Sequence, residues 1–303
     1  MEYKIKTYDT SGFMDKYIDL KLKKEEKVNE GNGTFLIMPV QQMLKASKLP
    51  VPPTRATTHT LIFLTEGKAS MKIGLHPVHA QQGECMIVPA GQIFSYREYE
   101  INDGYIIVFD NHFLIGKIGN TELLKDFEFL NVWGNPTVHP DTQTATYIIQ
   151  TLNRIYNEYA ANGIKNQELL QTYLLAALFE LKKVYKPLSL NKSKRAVEIS
   201  NRFKDLVHTN IRELHKVSDY ASIINVTTNH LNKTVKVVTG RPASKWIEEM
   251  LIIEAKVLLF QTNDPINAIA AELGILDHSY FSRLFKKLEG VSPRRFRKLI
   301  DKS

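Results

Sequence analysis

The most constraining feature of this sequence is a repeat near its end, where residues 216–241 match residues that begin at 266 after a shift of 50 positions. The matched pairs are Ala271 on Ala221, Leu273 on Ile223, Phe281 on Leu231, Arg283 on Lys233, Phe285 on Val235, Lys286 on Lys236 and Gly290 on Gly240. Each copy predicts a short helix, a tight turn and a second helix with a polar, basic outer face. This is the helix-turn-helix arrangement, whose second helix enters the major groove of DNA.

The second copy carries the fuller motif, which comprises residues 269–275 (IAAELGI), 279–287 (SYFSRLFKK), 290–293 (GVSP) and Arg297. Through these residues the chain resembles the AraC/XylS family of transcription regulators, which have two helix-turn-helix units joined by a long helix. In the first copy, Val235 stands where an aromatic residue is usual and Thr234 where an aliphatic one is usual. The resemblance implies binding to operator sites in double-stranded DNA, a small-molecule effector, a homodimer and RNA polymerase as a further partner.

The distribution of charge agrees with a polyanionic partner for the C-terminal part. Residues 1–190 contain 20 Lys and Arg and 20 Asp and Glu, whereas residues 191–303 contain 20 basic and 12 acidic residues. The whole net charge of +8 therefore belongs to the part that carries the repeat. Charge alone would also fit a solvated basic face, but charge together with the repeat favours DNA.

Composition and length indicate two soluble domains. A chain of 303 residues can build two cores, and 43% hydrophobic residues is ordinary for a globular protein. No apolar run reaches the roughly 20 residues of a membrane helix, and the N-terminus lacks a secretory pattern. A single cysteine, Cys85, fits a reducing compartment, so we expect a cytoplasmic protein with no membrane partner.

The sequence predicts an α+β protein with three segments: a cupin-like sensor and dimerisation domain at 1–186, a linker at 187–194 and a double helix-turn-helix domain at 195–303. Residues 1–30 suggest a surface arm with a short helix. Short β-rich runs follow at 35–40, 59–65, 69–73, 85–88, 94–99 and 105–109. A Pro52-Pro53 pair suggests an early loop. Glycines punctuate the runs, which favours a sandwich or barrel.

Residues 83–91 (GECMIVPAG) resemble the second motif of cupin barrels. Metal-binding cupins have a histidine soon afterwards, where this chain has Phe94, and only His59 stands near the place of the first motif. A catalytic metal needs three or four ligands. His76 and His79, in a Pro-containing stretch taken as a loop, lack a third ligand. We therefore expect no metal, no cofactor, no catalytic residues and no enzyme activity.

The cupin-like part resembles a sensor pocket, and a barrel of this size can hold one small ligand. Strand alternation places His59 and Phe63 on one face, Phe94 and Tyr96 on another and Tyr105 on a third. Any of these faces could point inward, or side chains alone could fill the barrel. The candidate ligand-binding residues are His59, Phe63, Phe94, Tyr96 and Tyr105.

Helical periodicity predicts two helices after the barrel, at about 142–160 and 166–185, a helix at 193–208 and a bridging helix at 242–261. The second of these carries more apolar surface than one stripe, since Leu175 and Phe179 widen its face. That surplus either packs against the neighbouring helix or, as the family resemblance implies, pairs two subunits.

Candidate DNA-binding residues lie on the outer faces of the second helices. Leu231, Val235, Phe281 and Phe285 face inward, whereas His230 is ambiguous because it matches Tyr280. The outward set comprises Thr228, Asn229, Asn232, Lys233, Lys236, His278, Ser279, Ser282, Arg283 and Lys286, with Lys287, Arg294 and Arg295 as phosphate contacts. Asn suits adenine edges and Arg suits guanine edges. The alternatives are a DNA-binding protein without an effector and, more remotely, a cupin-type enzyme.

Overall fold

The computed structural model describes residues 7–19, 33–74, 76–97, 100–116, 124, 126–132, 134–186 and 193–300. The chain divides into two compact units between Pro187 and Leu188. Apart from its last two positions, the predicted linker lies outside the described residues. At those positions Ser193 accepts a hydrogen bond from the Ala196 backbone N–H and begins a helix at Lys194.

The N-terminal unit contains nine described strands, which form two sheets that share the long strand β4. The strands are β1 (Thr7–Tyr8), β2 (Phe35–Pro39), β3 (Val51–Ala56), β4 (His59–Ile73), β5 (His76–Gln81), β6 (Cys85–Val88), β7 (Ile93–Tyr96), β8 (Asn102–Phe109) and β9 (Thr137–Val138). The first half of β4 pairs with β6 and β8, and its second half pairs with β5 and β7. Because β4 bends from one sheet into the other, the sheets curl into a half-barrel.

Helices pack on both faces of this half-barrel. They are α1 (Thr10–Tyr17), α2 (Val40–Ala46), α3 (Asn111–Ile115), α4 (Thr142–Asn162) and α5 (Gln167–Val184), with a 3₁₀ turn at Glu128–Leu130. Helices α1 and α2 lie on one face, and α4 and α5 lie on the other. Phe35 stacks on Phe113 with ring centroids 4.4 Å apart and meets Tyr159 of α4 edge-on. The buried amide of Gln171 in α5 donates to the Phe113 carbonyl at 2.6 Å. Odd-numbered residues of β2 and β8 thus form the core between sheet and helices.

Three features of the N-terminal unit differ from the sequence-based predictions. The stretch with Pro52 and Pro53 is strand β3, because the prolines occupy a register irregularity between Val51 and Thr54 where ladder donors are not needed. The stretch with His76 and His79 is strand β5, which pairs only with β4 and tolerates Pro77 at an edge. The described part of the predicted surface arm, residues 7–19, is packed into the core.

The C-terminal unit contains seven described helices. They are α6 (Lys194–Asn210), α7 (Val217–Ile224), α8 (Thr228–Thr239), α9 (Ala243–Gln261), α10 (Ile266–Glu272), α11 (His278–Glu289) and α12 (Pro293–Ile300). Helix α9 is buried on nearly every side and contacts helices of both repeat copies. The predicted α+β class, with a barrel-like N-terminal part and an all-helical C-terminal part, is confirmed.

No helix among the described residues has both the length and the apolar character required to cross a membrane.

Candidate DNA-binding surface and ligand cavity

The number of residues that separates equivalent positions of the two helix-turn-helix units is not the same in the first helices as in the second helices. In the second helices, α8 and α11, the predicted shift of 50 holds: Leu231 and Phe281 are both fully buried. In the first helices the shift is 49. The Val226 N–H bonds to the Ala221 carbonyl, and the Ile275 N–H bonds to the Ala270 carbonyl. The predicted pairs of Ala271 with Ala221 and Leu273 with Ile223 are therefore wrong by one residue.

The difference arises from one extra residue in the second turn, Leu276, which is 94% exposed. Asn225 and Gly274 occupy equivalent left-handed positions, with φ of 61° and 72°. After Asn225 two residues lead to helix α8, and after Gly274 three residues lead to helix α11. A residue inserted in an exposed turn displaces no core side chain, so both first helices keep the same buried face.

Each second helix begins at a side-chain cap and ends at a glycine. The Thr227 hydroxyl accepts from the His230 N–H at 3.1 Å, and the Asp277 carboxylate accepts from the N–H groups of Ser279 and Tyr280. The Tyr280 N–H is the main cause that lowers the pKa of Asp277, so this cap is charged at neutral pH. Gly240 and Gly290 then end α8 and α11 in the left-handed conformation.

The structure places the predicted DNA-binding residues on accessible faces of α8, α11 and α12. Asn232 and Ser282, at equivalent positions, are partly buried. The other members are exposed: Thr228, Asn229, Lys233, Lys236, His278, Ser279, Arg283, Lys286, Lys287, Arg294 and Arg295. His230, ambiguous from sequence, is exposed, and its partner Tyr280 is 45% exposed. The two copies therefore present the same pattern of polar positions to solvent.

Three of the predicted DNA-binding residues also have side-chain contacts within the protein. The Asn232 Oδ1 accepts from the Ala243 N–H at 3.0 Å and so caps helix α9. Arg283 lies 3.9 Å from Asp277 and Lys287 lies 3.8 Å from Glu248, but both cations are more than half exposed. A contact between exposed charges at these distances is weak, so either cation can leave its carboxylate and bind a DNA phosphate instead.

Arg297 differs from its basic neighbours in α12. Its guanidinium donates to the Asp264 carbonyl, so it ties the last helix to the segment before α10. Phe296 packs on Phe285 with ring centroids 5.4 Å apart. Arg294, Arg295 and Lys298 are exposed cations of the same helix.

Helix α9 fixes the position of one copy relative to the other. The Trp246 indole donates to the Thr239 hydroxyl at the end of α8. At the centre of α9, Glu254 is 2% exposed and lies 3.6 Å from the guanidinium of Arg212. The same guanidinium donates to Glu272 of α10 at 2.9 Å. A buried polar contact thus connects the linking helix with the second copy.

The N-terminal unit encloses a cavity of about 90 Å³ inside the half-barrel. Even-numbered strand residues line it, because they point away from helices α4 and α5. They are Leu36, Thr60, Ile62, Met86, Val88, Phe94, Tyr96, Asn102, Ile106 and Val108, together with Thr58 in the bend before β4. Helices α1 and α2 close one side of the cavity through Thr10, Phe13, Met14, Val40, Met43 and Leu44. The rest of the lining consists of Ala56, Ala69, Ser70, Met71 and Glu100.

Two of the five candidate ligand residues, Phe94 and Tyr96, line this cavity. The structure does not bring the other three to it. Phe63 is fully buried on the opposite face of β4, and the Tyr105 hydroxyl bonds to Asn153 of α4. Sequence reasoning missed the contribution of α1, because residues 7–19 gave no strong helical signal. Strand alternation separated the even-numbered residues of β4 and β8 from the odd-numbered ones, but both faces of β4 are apolar, so alternation did not identify the set that faces the cavity.

His59 also lies on the helix-facing side and has both ring nitrogens engaged. Its Nδ1 accepts from the Ala90 N–H at 3.0 Å, so the Nε2–H donates to Asn111 at 2.8 Å. Burial lowers the pKa of His59, which fits this neutral tautomer. Across the described residues, no cluster of three or more His, Cys, Asp or Glu could hold a metal ion. Cys85 is buried, and burial raises the pKa of its thiol.

Residues 220–299 match the family described as a helix-turn-helix domain. The HTH-type transcriptional regulator YisR of Bacillus subtilis is 31% identical over 91 residues, which span 30% of this chain and 32% of YisR. The chain thus spans about a third of the length of that relative. The Msm operon regulatory protein of Streptococcus mutans is 25% identical over 82% of the chain and 87% of its own length. The arabinose operon regulatory protein of Escherichia coli is 33% identical over 27% of the chain and 28% of its length.

These matches confirm that the part of the chain that contains the motif residues resembles AraC-type regulators. The matched stretch begins in α7 and ends in α12, so it contains both second helices and the linking helix α9. Residues 220–299 of this chain therefore form a helix-turn-helix domain of the AraC type.

Proposed function

We propose that this protein is a sequence-specific DNA-binding regulator of transcription whose N-terminal unit binds a small molecule. The observation that carries the proposal is the pair of second helices, α8 and α11, which expose equivalent polar faces. Helix α9 contacts helices of both copies. The names of the relatives support a role in transcription, since they include the Msm operon regulatory protein and a lactose operon transcription activator of Staphylococcus xylosus. The two helices should read sites about one helical turn apart on one face of the duplex.

The first prediction concerns salt. The exposed cations of α8, α11 and α12 would displace counterions from DNA phosphates. With about six to ten such contacts, the affinity of the full-length protein for duplex DNA should fall roughly 10³–10⁵-fold between 50 and 200 mM salt. Titration of a fluorescent duplex at several salt concentrations measures this slope. An affinity independent of salt, or no binding at low salt, would contradict the DNA-binding proposal.

A second prediction assigns roles to individual side chains. Arg283→Ala should remove discrimination at one base pair, costing about 1–3 kcal/mol if the guanidinium forms a bidentate pair with guanine. Lys287→Ala should weaken binding to all sequences alike, because a phosphate contact carries no sequence information. The measurement is the affinity of each variant for an operator selected from a random pool and for its single-base variants. A uniform loss for Arg283→Ala would make Arg283 a phosphate contact.

Asn232 needs a separate test because its oxygen caps helix α9. A bidentate pair with adenine uses both the oxygen and the nitrogen of the amide. The Asn232 oxygen has a second lone pair, so the bidentate pair requires it either to accept from adenine and from the Ala243 N–H at once or to release the cap. Asn232→Ala should therefore lower stability by about 1 kcal/mol through the lost cap as well as weaken binding about ten base pairs from the Arg283 site. Lys233→Ala, at the exposed position equivalent to Arg283, separates the two effects because Lys233 caps nothing in the described structure.

The cavity favours a regulator that binds a small molecule over the alternative, a DNA-binding protein without an effector. It is lined by strands of both sheets and by α1 and α2, so a ligand there would contact most elements of the half-barrel. The names of several relatives refer to sugar operons, among them the raffinose operon regulatory protein of Pediococcus pentosaceus. An enzyme role has less support, since both nitrogens of His59 are occupied. Contact with RNA polymerase stays a prediction of the family resemblance.

A third prediction concerns assembly through helix α5. Phe179 is 42% exposed although one edge packs on Phe127, whereas Leu175 is partly buried against the core. We propose that Phe179 lies at a homodimer interface, where a carboxylate would be buried without a partner. Phe179→Asp should convert the dimer into monomers in analytical ultracentrifugation at micromolar concentration. Gln150→Asp on the exposed side of α4 is the matched control. A wild-type monomer would contradict the proposed dimer.

A further inference from the structure

We propose that the cavity takes a slender apolar chain that ends in a hydrogen-bond donor, with a protonated amine favoured over a hydroxyl. This inference rests on the proposed small-molecule role of the N-terminal unit and names the chemistry that the cavity can recognise. Three observations lead to it: the width and adaptability of the apolar part, the hydrogen-bond state of its polar end, and the charge of its lining.

The body of the cavity is narrow and adaptable. Its volume of about 90 Å³ is smaller than the roughly 150 Å³ of an engineered cavity that holds benzene, so a ligand must displace lining side chains. A flexible chain can follow the space that those side chains leave, whereas a rigid ring cannot. Four methionines line it: Met14, Met43, Met71 and Met86. Methionine side chains change rotamer easily, so this cavity can lengthen around a flexible ligand. Most other lining side chains are aliphatic or aromatic.

Ser70, Tyr96, Glu100 and Asn102 form the polar end of the cavity, and the hydroxyl donors there are already used. The Thr10 hydroxyl, which α1 contributes to the lining, is buried without a hydrogen-bond partner among the described residues. The Ser70 hydroxyl donates to Glu100 at 3.0 Å, so the contact at 2.9 Å from His79 Nδ1 to Ser70 must be donated by the imidazole. The Ser47 hydroxyl donates to the Met43 carbonyl, so the Tyr96 hydroxyl is the donor in its contact with Ser47. Neither Ser70 nor Tyr96 keeps a free hydrogen for a ligand.

The groups that remain at this end are acceptors. Asn102 is 2% exposed, and its amide nitrogen donates to the Lys68 carbonyl at 2.8 Å. This contact fixes the orientation of the amide, because a carbonyl oxygen can only accept. The Asn102 Oδ1 is buried with no hydrogen-bond partner. A buried acceptor without a partner is destabilising, so a donor placed beside it is favoured.

The charge of the lining excludes anionic ligands. Glu100 is the charged member of the lining set, and that set contains no Lys, Arg or His among the described residues. A carboxylate would meet Glu100 with no cation to offset the repulsion. A sugar would bury many hydroxyls against the aliphatic walls, where each unpaired group is costly. An ammonium beside Glu100 and Asn102 has both a counter-charge and an acceptor.

The test uses four probes on the full-length protein: hexylamine, 1-hexanol, hexanoate and D-glucose, each titrated by calorimetry. Hexylamine should bind most tightly, 1-hexanol more weakly, hexanoate at least about tenfold more weakly than hexylamine, and D-glucose not at all. Glu100→Gln should weaken hexylamine about tenfold while leaving 1-hexanol within about twofold, because only the charge-assisted contact is lost. Glu66→Gln, at an exposed residue of β4 outside the cavity, makes the same charge change and should alter neither affinity.

Several outcomes would overturn the inference about the ligand without contradicting the proposal that the protein is a DNA-binding regulator. Preference for hexanoate or D-glucose over hexylamine would show a ligand cavity of different chemistry. An unchanged hexylamine affinity in Glu100→Gln would place the amine elsewhere. Binding of none of the four probes would also overturn it. The salt-dependent DNA titration tests the proposed function independently, since it needs no ligand.

Discussion

Replacing Gly274 by alanine is expected to destabilise the C-terminal unit by about 2–5 kcal/mol. Gly274 has φ of +72°, and a Cβ there would lie 2.4 Å from the Arg212 carbonyl oxygen and 2.8 Å from the His215 ring. The left-handed conformation costs an alanine about 1–2 kcal/mol, and the contact with a backbone oxygen forces the chain apart for about 1–3 kcal/mol more. The first copy has Asn225 at this place, with φ of 61°, a conformation that asparagine tolerates.

Gly290→Ala is the matched control. Its φ of +77° is nearly the same, but no atom lies within 4 Å of an added Cβ. Only the conformational cost of about 1–2 kcal/mol should appear. Urea unfolding followed by Trp246 fluorescence, in a Trp133→Phe background, reports on the C-terminal unit alone. Equal losses of unfolding free energy for the two variants would mean that the turn at Gly274 does not lie close to the segment that contains Arg212.

Replacing Arg212 by alanine should cost about 3 kcal/mol, although the change is at a partly exposed residue. Its guanidinium contacts Glu254, which is 2% exposed in the linking helix, and Glu272 in α10. Removing one partner of a buried ion pair leaves the other charge in a poorly solvated place, which costs about 3–5 kcal/mol. Arg212 itself is 29% exposed, so solvent reduces the effect to the lower end of that range.

The Arg212 variant also tests how the two copies are held together. Because Arg212 connects α9 with α10, its loss should reduce operator affinity more than affinity for nonspecific duplex, even at temperatures where the unit stays folded. Arg241→Ala is the control, since the Arg241–Glu249 pair is 43% and 18% exposed and should contribute less than about 1 kcal/mol. An Arg212 variant as stable as the Arg241 variant would show that Glu254 is solvated despite its burial.

The C-terminal unit could be predicted closely from sequence because its signals are local. The cap residues Thr227 and Asp277, the glycines Gly240 and Gly290 and the helical period of the buried residues all lie within a few positions of the elements they define. The same is true of α4 and α5, whose observed bounds differ from the predicted ones by at most two residues. A 3.6-residue period identifies the buried face of a helix without knowledge of its partner.

The sequence by itself therefore determined the repeat, the helices and the outward positions of the basic side chains. Tertiary structure decided which face of each strand encloses the cavity, because both faces of β4 are apolar and alternation alone cannot distinguish them. It also decided that Asn232 caps α9 and that α1 closes the cavity. Each of these depends on contacts between residues distant in sequence, and a local pattern carries no information about a partner that chain folding brings from elsewhere.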